Sequence, residues 1–302
     1  MNERSASVLL DRCTFPPAGQ PLTCAVSGGA DSLALLALAV TAGCEATAVH
    51  VDHGLRAGSA AEAEVVAAAA SELGAAFRAE RVVVEPGPDL EARARAARRA
   101  VLGPGHCTGH TADDRAETLL LNLLRGTGID GLAAPRPGRE HPILGVRRAE
   151  THALCAERGW RPVADPSNAD PAFRRNRMRA EVLPLLHDVA ERDVVPLLCR
   201  LADLAGDDAD LLGALAGEGV ADPTDARALT AVPVALARRA VRAWLREGSD
   251  HERHPPSAAT VERVLAVARG DAAGTDIGGG RRVVRTGMRL RIDVQLRSAD
   301  RG

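Results

Sequence analysis

Ser27-Gly28-Gly29-Ala30-Asp31-Ser32 is the stretch whose residue types and spacing dictate the most chemistry. Two adjacent glycines let backbone N–H groups reach an anion with no Cβ in the way. Ser27 and Ser32 add hydroxyl donors, and a helix beginning near Ser32 turns its positive end toward negative charge. Asp31 is the odd member, because a carboxylate beside phosphate is repulsive unless a divalent cation bridges the two. The six residues therefore predict a site for a nucleotide polyphosphate with Mg²⁺. The plain alternative is a strand-to-helix turn in which Asp31 only caps the helix.

Three further groups of residues carry chemistry. AVHVDHGLR (48–56) sets His50, Asp52, His53 and Arg56 at the end of an apolar run, where an α/β sheet holds its ligand. In GHTADDRAETLLLNLL (109–124) helical spacing of 100° per residue gathers His110, Asp114 and Glu117, with Asp113 nearby, along the edge of an apolar stripe. That stripe, Ala116, Leu119, Leu120, Leu123 and Leu124, is expected to be the buried face. Acids at a helix start also serve simply to complement its dipole. PAFRRNRMRA (171–180) holds four arginines, Arg174, Arg175, Arg177 and Arg179, and no acid. Guanidinium forks bind phosphate, of RNA or of a nucleotide, though the same charges also suit a solvated helix face. Arg95 and Arg98 in EARARAARRA (91–100) fit either phosphate binding or Glu–Arg pairing on an exposed face.

These residues need an α/β framework. Short β-like runs at 22–26, 46–51, 77–84 and 106–110 alternate with Ala-rich helical stretches, which predicts a parallel-sheet nucleotide-binding domain. A turn-rich linker (131–142) and a further helix, 147–158, follow. Near 185 the sequence turns Leu/Ala/Asp-rich and helical, and from 275 it reads as short strands with Gly turns. Two domains are expected, 1–185 and a smaller, mainly helical 186–302 ending in short strands. Gly126-Thr-Gly128-Ile-Asp-Gly131 satisfies G-x-G-x-x-G but follows a helix rather than a strand, so a loop beside the site is expected in place of a dinucleotide fingerprint.

Composition narrows the classes. All 38 basic residues are Arg, which excludes a catalytic lysine of the chain's own and a Gly-Lys-[Ser/Thr] phosphate loop. The net charge of -2 excludes a uniformly basic nucleic-acid binder while allowing a local patch. Cys13, Cys24, Cys44, Cys107, Cys155 and Cys199 form no C-x-x-C pair and are expected to be free thiols. With no signal-peptide core and no apolar run long enough for a bilayer, a cytoplasmic protein with no membrane partner is expected.

The S-G-G-x-D-S loop after the first run resembles that of the ATP pyrophosphatase (PP-loop) superfamily, which adenylates a substrate and releases pyrophosphate. Together with AVHVDHGLR, GHTADDRAET and WRPVADPSNADPAFRRNRMRAEVLPLL (160–186), in this order, the chain is similar to the tRNA(Ile)-lysidine synthetase family. That resemblance implies ATP as substrate, bound by Ser27 to Ser32 with His50 and Arg56, and Mg²⁺ on Asp31. It implies L-lysine held by Asp114 and Glu117, with catalytic roles for Asp31, Asp114 and Glu117, either of the last two being the base. Its RNA partner is the isoleucine tRNA with a CAU anticodon, whose wobble cytidine receives lysine; Arg95, Arg98 and the four arginines of 174–179 are the phosphate or tRNA contacts. A tRNA thiolase of the same superfamily and a non-catalytic ATP- or tRNA-binding protein are the rival readings. The resemblance is specific over 20–186 and weak beyond, where no counterpart of a second C-terminal domain of longer members is expected. Arg99 and Arg115 depart from the family's usual Tyr and Gln, and the oligomeric state, a homodimer included, is left open.

Overall fold

A computed structural model of the chain describes residues 3–52, 59–82, 90–133, 135–163, 170–247 and 256–294. It divides into two compact units, 1–206 and 207–302.

Unit 1 opens with α1 (Glu3–Leu10) and continues as β1 (Pro21–Ala25), α2 (Ala30–Thr41), β2 (Glu45–Asp52), α3 (Ser59–Leu73), β3 (Ala76–Arg81), α4 (Leu90–Leu102) and β4 (Cys107–Thr108). The four strands form a parallel sheet in the order β3-β2-β1-β4. Leu22 and Cys24 alternate inward from β1, while the run Leu33 to Ala39 on α2 is wholly buried. A helix apolar on every side needs neighbours on every side; α2 has β1 and β2 beneath it and α1, α3 and a later helix, α7 (Arg148–Glu157), around it. Each fully buried Leu there contributes roughly 1.5–3 kcal/mol. The parallel strands all end toward one edge, where the 26–29 loop and the segment after β4 lie.

After β4 come α5 (Ala112–Leu124), the one-turn α6 (Ile129–Leu132), α7, α8 (Arg174–Arg177), a π turn (Met178–Val182), α9 (Leu183–Ala190) and α10 (Val195–Gly219). Ala112, Ala116, Leu119 and Leu120 of α5 form a second core with Met178, Leu183, Val195 and Ala202. This packing explains why the compact division falls at 206/207, inside α10, although the composition changes near 185. The expected stripe on α5 is corrected in its last turn, because Leu123 and Leu124 are 56% and 74% exposed. The Gly126–Gly131 segment is likewise not a plain loop, since it closes into α6, with Asn122 Nδ2 donating to Gly131 O at 2.8 Å.

Unit 2 contains α11 (Ala226–Ala231), α12 (Val234–Glu247), α13 (Ala258–Arg269) and an antiparallel sheet, β5 (Gly274–Gly278), β6 (Arg281–Thr286) and β7 (Arg289–Val294), in the order β5-β6-β7. Val241, Leu245, Val261, Val264, Leu265, Val283 and Leu290 make its apolar core. Ser257 caps α13 by accepting from Thr260 N, and Gly270, at φ +90, ends it in the left-handed conformation that glycine adopts without penalty. Among the described residues no helix is long and apolar enough to cross a membrane.

Candidate active site

The glycine loop joins β1 to α2. Gly28 has φ +88, and a Cβ there would stand 3.1 Å from Val163 Cγ2, so both conformation and space call for glycine. Gly28 O accepts from Val163 N at 3.0 Å, which lays residue 163 along the loop. Gly29 is the N-cap of α2 and has no side-chain cap, so Ala30 and Asp31 present N–H groups without intrahelical acceptors. Ser32 Oγ accepts from Ser27 N at 3.1 Å and donates to Gly29 O at 2.8 Å. Ser32 therefore braces the loop from within. Asp31 caps nothing: its carboxylate accepts from the Thr151 hydroxyl and lies 3.5 Å from Arg148 Nε. Burial pushes its pKa up, against the Thr151 hydrogen bond.

Gly109, after β4, brings the second part of the site to the first. A Cβ on it would lie 2.7 Å from Asp31 O, so only glycine lets this segment approach the start of α2. Two residues later Thr111 caps α5 through a reciprocal box with Asp114, whose Oδ2 accepts from Thr111 N at 2.9 Å. The other oxygen, Oδ1, accepts from Arg148 Nη2 at 2.8 Å. Burial works to raise the Asp114 pKa, but Arg148 and Thr111 outweigh it and hold it below the usual carboxylate range. Glu117, one turn on, is 0% exposed. It accepts from Arg148 Nη1 at 3.0 Å and from Arg179 Nε at 2.8 Å, and lies 3.4 Å from Arg175 Nε. Asp113 faces the other way, onto Arg147 at 3.0 Å and the backbone N–H of Arg148 at 2.8 Å.

A cavity of about 800 Å³ opens over the loop, with Asp31, Asp114, Arg148 and Arg179 among its walls. His50 lines it too, 2% exposed, and donates from Nδ1 to Val26 O at 3.0 Å. A carbonyl can only accept, so Nδ1 carries the proton of that bond, and the buried Nε2 has no hydrogen-bond partner among the described residues. His110 bonds Thr108 Oγ1 at 2.7 Å and meets His141 edge to face, 4.9 Å between centroids. Burial lowers its pKa to about 4, which leaves the ring neutral near pH 7.

The structure thus gathers Ser27 to Ser32, His50, Asp114, Glu117, Arg175 and Arg179 in one neighbourhood. Arg98 reaches the cavity wall from α4. Arg174 and Arg177 stay exposed, Arg177 in an i,i+4 pair with Glu181 at 2.8 Å. Arg56, His53, the Asp165–Asn168 turn and the side chain of Arg95 lie outside what is described. Arg115 is buried, bonding Pro135 O at 3.1 Å and Asp203 at 2.7 Å, a role for which Gln is too short; exposed Arg99 has no such explanation. Sequence reasoning passed over Arg148 and Thr151. No spacing relates α7 to the acids of α5, and the one usable signal was the paired Arg147-Arg148 opening a helix.

Fold and site together define a PP-loop domain: the family model described by that name matches residues 3–186. A model described as the TilS substrate binding domain matches residues 225–291. The chain is 43% identical to the tRNA(Ile)-lysidine synthase of Nocardia farcinica, over 91% of this chain and 90% of the relative. It is 39% identical to that of Mycobacterium tuberculosis, over 93% and 91%. The chain belongs to the tRNA(Ile)-lysidine synthase family. Among solved structures, the U34-tRNA thiolase of Methanococcus maripaludis shares the fold with a TM-score of 0.52 at 16% identity, covering 68% of this chain and 78% of that one.

Proposed function

We propose that this chain ligates L-lysine to carbon 2 of the wobble cytidine of the isoleucine tRNA with a CAU anticodon, using ATP. The observation that carries the reading is the meeting of Asp31, beside the glycine loop, with Asp114 and Glu117 at a single guanidinium, that of Arg148. Phosphate binding and cation binding are thereby adjacent, as an adenylation followed by attack of an amine requires.

ATP places its phosphates on the amides of residues 27–32, and the unpartnered His50 Nε2 meets a polar group of the nucleoside. The 2-oxygen of cytosine attacks the α-phosphorus, and pyrophosphate departs onto amides already oriented to receive its charge. The ε-amine of lysine then displaces AMP from carbon 2. Asp114 reaches the cavity and meets the ammonium, with Glu117 behind it, and one of the two carboxylates takes the proton. The residues fit Mg²⁺: Asp31 is a half-buried carboxylate at the loop, and Mg²⁺ needs only one or two such ligands beside phosphate oxygens and water. Bound there it would neutralise charge on the leaving pyrophosphate. Residues 1–185 carry this chemistry and 186–302 select the tRNA. Arg98, Arg174 and Arg177 are assigned to RNA phosphates, as are Arg56 and Arg95 to phosphate by their position in the sequence.

The test is incubation with ATP, radiolabelled lysine and the CAU-anticodon isoleucine tRNA. Label is expected in the tRNA; none, with an active synthase control in parallel, sinks the proposal. Asp31→Ala is expected to lower turnover about 10²–10³-fold, whereas a binding module would lose only nucleotide affinity.

A further inference from the structure

We infer that Arg148 is an internal cation that fills the ammonium seat in the absence of lysine, and that substrate lysine displaces its guanidinium. The inference rests on the reading of Asp114 and Glu117 as that seat. Three carboxylates, Asp31, Asp114 and Glu117, face three guanidiniums, those of Arg148, Arg175 and Arg179. Their formal charges cancel. Bringing an ammonium into a buried cluster that is already neutral costs its hydration with no net charge to offset the loss. One guanidinium has to withdraw.

The distances single out Arg148. Its Nη2 and Nη1 lie 2.8 Å from Asp114 Oδ1 and 3.0 Å from Glu117 Oε1, the two positions a bridging ammonium would take. Arg179 is 3.7 Å from Asp114, and Arg175 donates to Thr118 at 2.6 Å, so neither bridges the two carboxylates within hydrogen-bond distance. Arg148 can withdraw without its backbone moving, because its N–H is held by Asp113 at 2.8 Å. Its Nε is already 3.5 Å from Asp31, so a displaced guanidinium remains beside the phosphate loop, where a triphosphate offers a replacement anion. Arg148 therefore ties occupation of the lysine seat to occupation of the ATP site.

The test is equilibrium dialysis of radiolabelled L-lysine against the full-length chain, each variant first shown to melt cooperatively. Arg148→Gln, which removes the competing charge a few ångströms from the seat, is expected to lower the lysine Kd by about tenfold or more. Free guanidinium chloride at low millimolar concentration is expected to raise it again. If Arg148→Gln does not melt cooperatively, Arg148→Met is read in its place. A second measurement needs no variant: a non-hydrolysable ATP analogue, by offering Arg148 another anion, lowers the lysine Kd of the wild type. A Kd unchanged or weakened by removing the guanidinium, no binding by the folded variant, or no response to the analogue overturns the inference. Asp114→Asn in the wild-type background separates it from the reading beneath it. If that variant binds lysine as the wild type does, the seat is elsewhere; if it loses lysine while Arg148→Gln gains nothing, the seat stands and the displacement falls.

Discussion

Arginine–carboxylate pairs occur in both units, but among the described residues only unit 1 buries a cluster of them. In unit 1 Glu117 has no exposed surface and is enclosed by Arg148, Arg175 and Arg179. In unit 2 the pairs Arg238–Glu262, Arg289–Asp222 and Arg291–Asp293 stand in solvent, and no charged side chain is buried among the described residues of that unit. Water and salt screen the exposed pairs, which leaves them little effect on stability. A buried cluster bears a desolvation cost of several kcal/mol per ion, and hydrophobic residues of like volume would often serve stability equally well. The difference teaches that the buried cluster of unit 1 cannot lose one partner without leaving an uncompensated charge, while unit 2 is expected to lose its surface pairs and keep its fold.

The largest expected effect comes from unbalancing the buried cluster. Glu117→Gln leaves three guanidiniums facing two carboxylates and is expected to cost about 3–5 kcal/mol, read by urea denaturation, together with loss of lysine transfer. A loss below about 1 kcal/mol would put Glu117 in the same class as the surface pairs and break the comparison. Next, Leu265→Ala in the core of unit 2 is expected to cost about 2–5 kcal/mol; amide hydrogen exchange should show the lost protection in residues 207–294, with unit 1 amides unaffected.

A smaller effect concerns pH. His110 has its pKa lowered to about 4 by burial, with Asp114 opposing. Between its ordinary value near 6.5 and 4 the unfolded chain binds a proton that the folded chain refuses, so stability falls as pH is lowered through that window. The Tm of the wild type should drop from pH 6.5 to 4, and His110→Asn should flatten the slope; an unchanged slope would mean that His110 is not held neutral. Least of all, Arg238→Ala is expected to leave Tm and activity unchanged within error in a thermal melt, its partner Glu262 being exposed. A clear shift there would mean that the surface pairs of unit 2 are not the spectators described.

Local signals carried much of this. The helix α5 follows from the helical spacing of its apolar residues, and the parallel sheet follows from alternation of apolar runs with Ala-rich stretches. Leu123 and Leu124 were misjudged because periodicity tells which residues share a face, not how far along the helix a neighbour extends. The arginines of 174–179 read as one basic patch, yet the helix turns Arg175 and Arg179 onto Glu117 and leaves Arg174 and Arg177 in water.

By itself, then, the sequence determined the glycine loop, the helix that bears Asp114 and Glu117, and the class of ligand, because each depends on residues within a turn or two of one another. Only the tertiary structure decided that Arg148, 31 residues beyond Glu117, balances the charge of both halves of the site. Pairing across that interval depends on how α7 packs against α2, and packing between elements has no period that a single chain displays.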